Sequence, residues 1–215
     1  MPTVDSVPPA GAPALPAIWP DTVRLKPLGD PSIVTAFFED AAAWHDQLTK
    51  HLLELGRDPE FGKRYPGCRG TKIDGIHHLD APELRLATAR AEALFRHVLR
   101  SPKAVVDAAW ANIYRRGDYC MPHSHMRATA SIVYCVDPGE DDPDDPVSGR
   151  LFIADPRLAA CCRPVPNYMT SPLVPNMRPG TYVIFPAQIV HAVNPYNGSR
   201  PRITLSWNVG AEAIA

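Results

Sequence analysis

The sequence predicts a mainly β protein, an antiparallel sandwich or barrel with helical additions on its N-terminal side. From residue 104 onwards, short apolar or alternating runs are separated by Gly, Pro, Asp and Asn, a pattern typical of strands joined by turns. Successive strands without intervening helices favour an antiparallel sheet that packs or closes on itself. The strand-like runs are AVVDAAWANIYRR, ATASIVYCV, GRLFIADP, TYVIFP and RITLSWNV.

The N-terminal half contains two helical patterns and one long polar segment. Residues Val23 to Leu28 alternate apolar and basic side chains and predict an edge strand. From Pro31 to Gly56, apolar residues recur every three or four positions, which predicts an amphipathic helix that ends at the glycine. The polar, glycine-rich segment from Arg57 to Asp80 predicts a long loop, and a second helix follows from Ala81 to Arg100.

The chain length predicts one domain. Its 215 residues are sufficient for one core of useful size, and we assign that domain to residues 21–215. Within it, residues 31–101 provide helical support and residues 104–210 form the β core. The Pro/Ala-rich residues 1–20 predict a flexible tail, because proline has no backbone N–H to donate in a helix or sheet.

Charge and cysteine content exclude several classes of partner. The net charge is −1, with 22 basic and 23 acidic residues well mixed, so neither nucleic acid nor an anionic membrane surface is an expected partner. No apolar run approaches the roughly 20 residues that span a bilayer, and the N-terminus lacks the pattern of a secretory signal. Five cysteines, odd in number and without CxxC spacing, favour reduced thiols, and we therefore expect a cytoplasmic protein.

Three histidines form a candidate metal site. His123 and His125 precede the alternating run SIVYCV, and residues i and i+2 of an extended strand point to the same face. His191, which follows a strand-like run ending at Pro186, is the expected third ligand. Imidazole suits zinc, iron, copper and nickel, and three protein ligands leave positions open for water, oxygen or substrate. The pattern therefore predicts a catalytic metal site.

Three segments carry a resemblance to a known family. They are WANIYRRGDYCMPHSHMRATASIVYCV, SGRLFIADPR and PGTYVIFPAQIVHAVNPYNGSRPRITLSWNV. Together they resemble a family of 2-oxoglutarate/iron(II) dioxygenases with a double-stranded β-helix, a jelly-roll or cupin-like barrel. The resemblance implies a non-haem iron oxygenase that uses 2-oxoglutarate and O2 to hydroxylate or otherwise oxidise a small molecule, releasing succinate and CO2. It also implies that His123 and His191 bind iron(II) and that Arg202 holds the far carboxylate of 2-oxoglutarate.

The residues around Arg202 fit that role. Arg202, Thr204 and Ser206 share one face of an alternating strand, so a guanidinium lies beside two hydroxyls. Guanidinium binds carboxylate through two charge-assisted hydrogen bonds, and a hydroxyl adds a neutral one. A surface arginine at a sheet edge is the alternative, with Arg200 as the second candidate for the clamp.

Two tyrosines are further candidates for the cosubstrate pocket. The hydroxyls of Tyr114 and Tyr134 could contact 2-oxoglutarate, although packing is the more common role of a buried tyrosine. The balanced charge favours a small second substrate, such as an amino acid or a natural-product intermediate, and leaves a homodimer open.

One position departs from the usual pattern of the family. His125 stands where most such oxygenases have Asp or Glu, so three neutral imidazoles would leave the iron with both positive charges. Alternatively, His125 supports the site from outside the coordination sphere, and a water or an acidic side chain completes the sphere, with Asp118 and Asp155 as the nearby candidate carboxylates.

Two other functions remain open at this point. The motif residues also resemble a cupin, which would be a three-histidine dioxygenase or an isomerase without 2-oxoglutarate; they are Gly117, His123 and His125, then Gly180, Pro186 and His191. The glutamate that a cupin places after His-x-His is absent, and Arg202 favours the 2-oxoglutarate oxygenase. The third hypothesis is a non-catalytic metal- or ligand-binding barrel.

Overall fold

The computed structural model describes residues 18, 20–26, 33–125, 127–154 and 173–212, with only the backbone at 24–26. The predicted tail therefore lies outside the described residues except at positions 18 and 20. In the described residues no helix is long and apolar enough to cross a bilayer.

An antiparallel sheet dominates the described part of the chain. Its strands are β1 (Thr22–Lys26), β2 (Ile33–Phe37), β3 (Gly62–Tyr65), β4 (Cys68–Asp74), β5 (Val105–Tyr114), β6 (Tyr119–His123), β7 (Ala130–Asp137), β8 (Leu151–Ala154), β9 (Thr181–Pro186), β10 (Val190–Val193) and β11 (Arg202–Gly210). The helices are α1 (His45–Leu55) and α2 (Pro82–Val98), with short 3-10 helices at Glu39–Ala43 and Ile76–His78. The strands lie in the order β1-β2-β9-β7-β11-β5-β4-β6-β10-β8, and β3 pairs with β4.

The two faces of the central strands have different roles. Ile203, Leu205 and Trp207 of β11 join the core that α1 and α2 cover. The alternate residues of β11 point to the opposite face, which we call the inner face, where β7 and β9 contribute Val133 and Val183 to a second apolar cluster. Every residue of β11 is buried, because helices cover one side and the curled sheet covers the other.

The first predicted helix is correct only in its second half. The segment from Ile33 to Phe37 is strand β2, which pairs with β1 and β9, and α1 begins at His45. The β-branched residues in IVTAF favour a strand, and the available sheet edge outweighs the helical spacing of the later apolar residues. The helix ends at Gly56 as predicted, and the edge strand at β1 and the second helix at α2 are confirmed.

The predicted loop from Arg57 to Asp80 is wrong. It contains the β3–β4 hairpin, turning at Gly67 with φ of 80°, and β4 inserts between β5 and β6. These strands are polar and lack a clear alternation of apolar residues, so hydrophobic periodicity does not predict them. Backbone hydrogen bonding to two neighbours is what makes β4 a strand.

A disulfide corrects the expectation of reduced thiols. Cys68 of β4 and Cys120 of β6 lie directly opposite each other, with Cα atoms 4.2 Å apart, and form a disulfide. Cys135 is free and buried. Cys161 and Cys162 lie outside the described residues. The two linked cysteines are separated by 52 positions in the sequence, so their pairing depends on the unpredicted strand β4.

Removing this cross-link should destabilise the protein. We expect the double variant Cys68→Ser/Cys120→Ser to lose about 2–4 kcal/mol of unfolding free energy, because the bond restricts the unfolded chain. Urea denaturation measures this loss, and peptide mapping without reductant should recover the linked peptides. Reductant should destabilise the wild type but not the double variant; a wild type that is indifferent to reductant would contradict the assignment.

A buried histidine joins α1 to the sheet. His45 is 7% exposed, and its Nε2 accepts a hydrogen bond of 2.5 Å from the Tyr134 hydroxyl. Burial lowers the pKa of His45 from 6.5 to about 4, although a backbone hydrogen bond with Val136 acts in the opposite direction. His45 is therefore neutral in the folded protein at neutral pH.

This lowered pKa predicts a loss of stability in acid. Between pH 6.5 and about 4 the unfolded chain binds the proton that folded His45 excludes, so the unfolding free energy falls as the pH falls. His45→Gln keeps an acceptor for Tyr134 but does not titrate. Urea unfolding at several pH values, with a chelator present, should give a shallower slope for His45→Gln than for the wild type. Equal slopes would remove His45 as the cause.

Candidate metal centre

The three predicted histidines lie together at the end of β6 and in β10. Their candidate ligand atoms are all within 4.8 Å of one another, the one group of this kind in the described residues. His123 and His191 are paired across β6 and β10, with ring centroids 4.3 Å apart. The His125 centroid is 5.0 Å from that of His123 and 5.1 Å from that of His191. Both predicted strands therefore meet at one cluster.

The local path of the His-x-His segment differs from the prediction. β6 ends at His123, and His125 lies in the loop beyond it, where its backbone N–H donates to Ala187 O at 2.8 Å. The two imidazoles converge because the chain bends across the end of β9, and not because they share one face of a strand.

Backbone carbonyls fix the orientation of two rings. His123 Nδ1 donates to Met121 O at 2.8 Å, and His191 Nδ1 donates to Ile189 O at 3.0 Å. A carbonyl only accepts, so Nδ1 carries the hydrogen and Nε2 keeps its lone pair. Metal-binding histidines commonly make this contact, which sets the tautomer and the ring orientation. Both rings are thus prepared to donate electrons through Nε2.

The surroundings keep two of the imidazoles, those of His125 and His191, uncharged. Burial lowers the pKa of His125 to about 3, and the nearby His191, His123 and Lys72 add to this effect. Burial also lowers the pKa of His191 to about 4, although its hydrogen bond to Ile189 opposes the shift. Neutral imidazoles have the lone pairs that a metal ion requires.

A buried guanidinium lies on the inner face. Arg202 is 3% exposed, and its Nη1 has no hydrogen-bond partner within the described part of the chain. Burial lowers the pKa of Arg202, so the charge is held at an energetic cost. Thr204 and Ser206 are buried on the same face, and Tyr114 lies opposite Arg202 on β5 with its ring 5.5 Å from Cζ. An unpaired buried cation is unfavourable unless an anion completes it.

Tyr134 does not lie with the other predicted residues. It occupies the helix-facing side of β7, in the core with α1, where its hydroxyl donates to His45. Its neighbours Val133 and Cys135 take the inner face instead. The two faces of β7 are apolar, so the sequence does not reveal which set of alternate residues points inward.

Two alternative candidates make contacts elsewhere: Arg200, the second candidate for the carboxylate clamp, and Asp118, a candidate carboxylate ligand of the metal. Arg200 is an exposed side chain whose Nη1 lies 2.8 Å from Asp137 Oδ2. Asp118 Oδ2 accepts the backbone N–H of Arg115 at 2.8 Å within a turn, and Asp118 is not part of the histidine cluster. Asp155 lies outside the described residues. Arg202 and the three histidines are therefore the groups that the fold brings to the inner face.

Sequence reasoning missed several neighbours of the cluster. The Trp110 ring lies 5.4 Å from that of His125, and Lys72 Nζ lies 4.5 Å from the Trp110 centroid and 2.9 Å from Asp74. Lys72 belongs to the unpredicted strand β4, so no signal pointed to it. Asn208 Nδ2 lies 3.2 Å from His125 Nδ1, and the alternation from Arg202 onwards could have indicated this residue.

These features suit the binding of a metal ion and an anion. The curled antiparallel sheet brings three imidazoles together and places on the same inner face the buried Arg202, whose Nη1 has no hydrogen-bond partner among the described residues. Residues 108–208 match the family model described as "Putative 2OG-Fe(II) oxygenase". This match covers just under half of the chain, which is therefore similar to the 2-oxoglutarate/iron(II) oxygenase family, in agreement with the resemblance and the enzyme class predicted from the sequence. Iron(II) and 2-oxoglutarate, the predicted cofactor and cosubstrate, are those of the family.

Solved structures show the same fold. AviO1 from Streptomyces viridochromogenes Tue57 is 16% identical with a TM-score of 0.60, covering 85% of this chain and 91% of AviO1. EctD from S. alaskensis, solved with 2-oxoglutarate and 5-hydroxyectoine, is 17% identical with a TM-score of 0.58, covering 83% and 71%. A Pseudomonas putida prolyl-4-hydroxylase is 16% identical with a TM-score of 0.55, covering 86% and 95%. The predicted double-stranded β-helix is thereby confirmed. No curated protein matches this chain.

Proposed function

We propose that the protein is a 2-oxoglutarate-dependent oxygenase with a three-histidine iron(II) site, which oxidises a small molecule and releases succinate and CO2. The observation that carries this proposal is the buried guanidinium of Arg202 on the inner face, whose Nη1 has no hydrogen-bond partner among the described residues. The proposed ligands of iron(II) are His123, His125 and His191, and the proposed contacts of 2-oxoglutarate are Arg202, Thr204, Ser206 and Tyr114.

The donor set fits iron(II). Three imidazoles suit a divalent first-row metal, and three protein ligands leave positions for a chelating cosubstrate and dioxygen. Bound iron(II) supplies the chemistry that couples decarboxylation of 2-oxoglutarate to oxidation of the second substrate by dioxygen. Because no carboxylate ligand offsets the metal charge, the site favours a dianionic cosubstrate.

In the proposed mechanism, side chains bind 2-oxoglutarate and backbone carbonyls orient the histidine ligands. Arg202 holds the far carboxylate of 2-oxoglutarate through its fork of N–H donors, and the hydroxyls of Thr204 and Ser206 lie on the same face to assist. The backbone carbonyls of Met121 and Ile189 keep two imidazoles in the binding tautomer. The apolar cluster of the inner face, which includes Val183, limits access of water to the site.

The cupin alternative explains less of the structure. An isomerase or a dioxygenase without 2-oxoglutarate would use the three histidines but would leave Nη1 of the buried Arg202 without a partner in the part of the chain that the structure describes. A small second substrate is supported by the comparison with EctD, whose structure contains 5-hydroxyectoine. We also propose that residues 21–215 form one oxygenase domain, since α1 and α2 share a core with β11.

Replacing His123 or His191, whose rings are oriented by backbone carbonyls, should weaken the binding of iron(II). We expect His123→Ala and His191→Ala each to weaken iron(II) binding by more than about 100-fold, because each loses a ligand and not only an outer contact. Anaerobic competition against a chromophoric chelator measures the affinity. His51→Ala, on α1, is the matched control and should bind like the wild type. Unchanged binding in either site variant would exclude that histidine as a ligand.

Replacing Arg202 should weaken the binding of 2-oxoglutarate and leave the binding of iron(II) unchanged. We expect Arg202→Gln to raise the Kd of 2-oxoglutarate by at least about 30-fold, equivalent to about 2 kcal/mol, through the loss of a charged hydrogen-bonding partner. Anaerobic titration of the iron(II)-loaded protein gives the Kd.

The matched control is Arg200→Gln. Arg200 is paired with Asp137 on the surface, so its replacement should leave the Kd of 2-oxoglutarate unchanged. If Arg200→Gln weakened binding and Arg202→Gln did not, the clamp would be the exposed arginine and the proposal for Arg202 would be wrong.

A further inference from the structure

The third imidazole is held by a side chain. His125 Nδ1 lies 3.2 Å from Asn208 Nδ2, and Ser131 Oγ donates to Asn208 Oδ1 at 3.2 Å. Asn208 is 9% exposed and Ser131 3%, so the pair is buried between β7 and β11. His125 therefore differs from His123 and His191, whose rings contact carbonyls of their own strand or turn.

The side of the amide that faces His125 determines what the ring can do. An amide nitrogen donates, so it requires a bare Nδ1 and leaves the hydrogen on Nε2, where it blocks coordination through Nε2. An amide oxygen accepts, so it requires Nδ1–H and leaves the Nε2 lone pair for a metal. A half-turn of the Asn208 side chain exchanges the two arrangements in nearly the same volume.

Ser131 is compatible with either arrangement. A hydroxyl both donates and accepts, so Ser131 Oγ can donate to the amide oxygen or accept from the amide nitrogen. The choice therefore lies with His125 and with whatever its Nε2 binds. A metal ion at Nε2 stabilises the arrangement in which the Asn208 oxygen accepts Nδ1–H.

We propose that Asn208, supported by Ser131, is the positioning residue that makes His125 the third iron ligand, by presenting its amide oxygen to His125 Nδ1–H. The inference rests on the proposed function and deepens it. The loop beyond β6 gives His125 no strand to orient it, and Asn208 supplies that orientation from β11. β11 thereby contributes to both parts of the site, with Asn208 at the metal and Arg202 at the cosubstrate.

Two substitutions at one position distinguish the two sides of the amide. Asn208→Ala removes the contact and should weaken iron(II) binding by about 10–100-fold. Asn208→Asp has nearly the same shape but can only accept, so it should bind iron(II) at least as tightly as the wild type. Anaerobic chelator competition measures both affinities. If Asn208→Asp is as weak as Asn208→Ala, the amide nitrogen is the group in use and the inference is overturned; wild-type affinity in Asn208→Ala also overturns it.

The His125→Ala background separates positioning from simple charge. A new carboxylate attracts a cation whether or not His125 is present, whereas positioning requires the ring. We expect Asn208→Ala to leave the iron(II) affinity of His125→Ala unchanged within about 3-fold, because its effect passes through the missing imidazole, whereas any gain from Asn208→Asp in that background measures the added charge alone. A full effect of Asn208→Ala in the His125→Ala background would overturn the inference.

Controls keep the result interpretable. Thermal unfolding of each metal-free variant checks the fold, and Ser131→Ala, which frees the amide without removing it, should give a smaller loss of affinity in the same direction. If Asn208→Ala does not fold, an unchanged affinity in Ser131→Ala together with a weak Asn208→Asp overturns the inference. Asn194→Asp, whose parent amide donates to Val147 O at 3.1 Å, should bind iron(II) as the wild type does. A wild-type protein that binds no iron(II) would overturn the proposed function itself, before any variant is compared.

Discussion

The structure depends on the alternation of a single strand that is buried on both faces. Strand β11 sends Leu205 and Trp207 into the core beneath the helices, where Trp207 Nε1 donates to Thr88 Oγ1 at 3.1 Å. The same backbone turns Arg202 and Asn208 towards the inner face. The buried polar residues of β11 alternate with these core residues and form a polar row, Arg202, Thr204, Ser206 and Asn208. Because successive residues of a strand point to opposite faces, packing against α2 also determines where this polar row lies. The register with β5 and β7 therefore fixes the site as well as the core.

The protonation of the groups on the inner face follows from burial. Burial lowers the pKa values of His125 and His191, so these two rings are neutral at neutral pH, whereas the buried Arg202 has no hydrogen-bond partner for Nη1 among the described residues. The disulfide partner Cys120 lies in the same region, with Sγ 3.7 Å from His123 Nδ1, and it ties β6 to β4 where the His-x-His segment leaves the sheet.

Much of the β half could be predicted from sequence, whereas contacts between distant segments could not. Strands β5, β7, β9 and β11 are apolar and bounded by turn residues, so their pattern identifies them. Strand β4 is polar, and only its backbone pairing makes it a strand. Because β4 could not be predicted, neither the Cys68–Cys120 disulfide nor the position of Lys72 near the histidines could be predicted. The histidine cluster followed from spacing and chemistry. The tautomers of the rings depend on contacts such as that between His125 and Asn208, which bridge 83 positions.

We propose that three imidazoles and one buried guanidinium on a common inner face bind iron(II) and 2-oxoglutarate together. A crystal structure of the protein grown anaerobically with iron(II) and 2-oxoglutarate is the decisive test. We expect one metal ion bonded to Nε2 of His123, His125 and His191, with the far carboxylate of 2-oxoglutarate on the Arg202 guanidinium. A metal ion without His125 among its ligands, or 2-oxoglutarate bound away from Arg202, would contradict it.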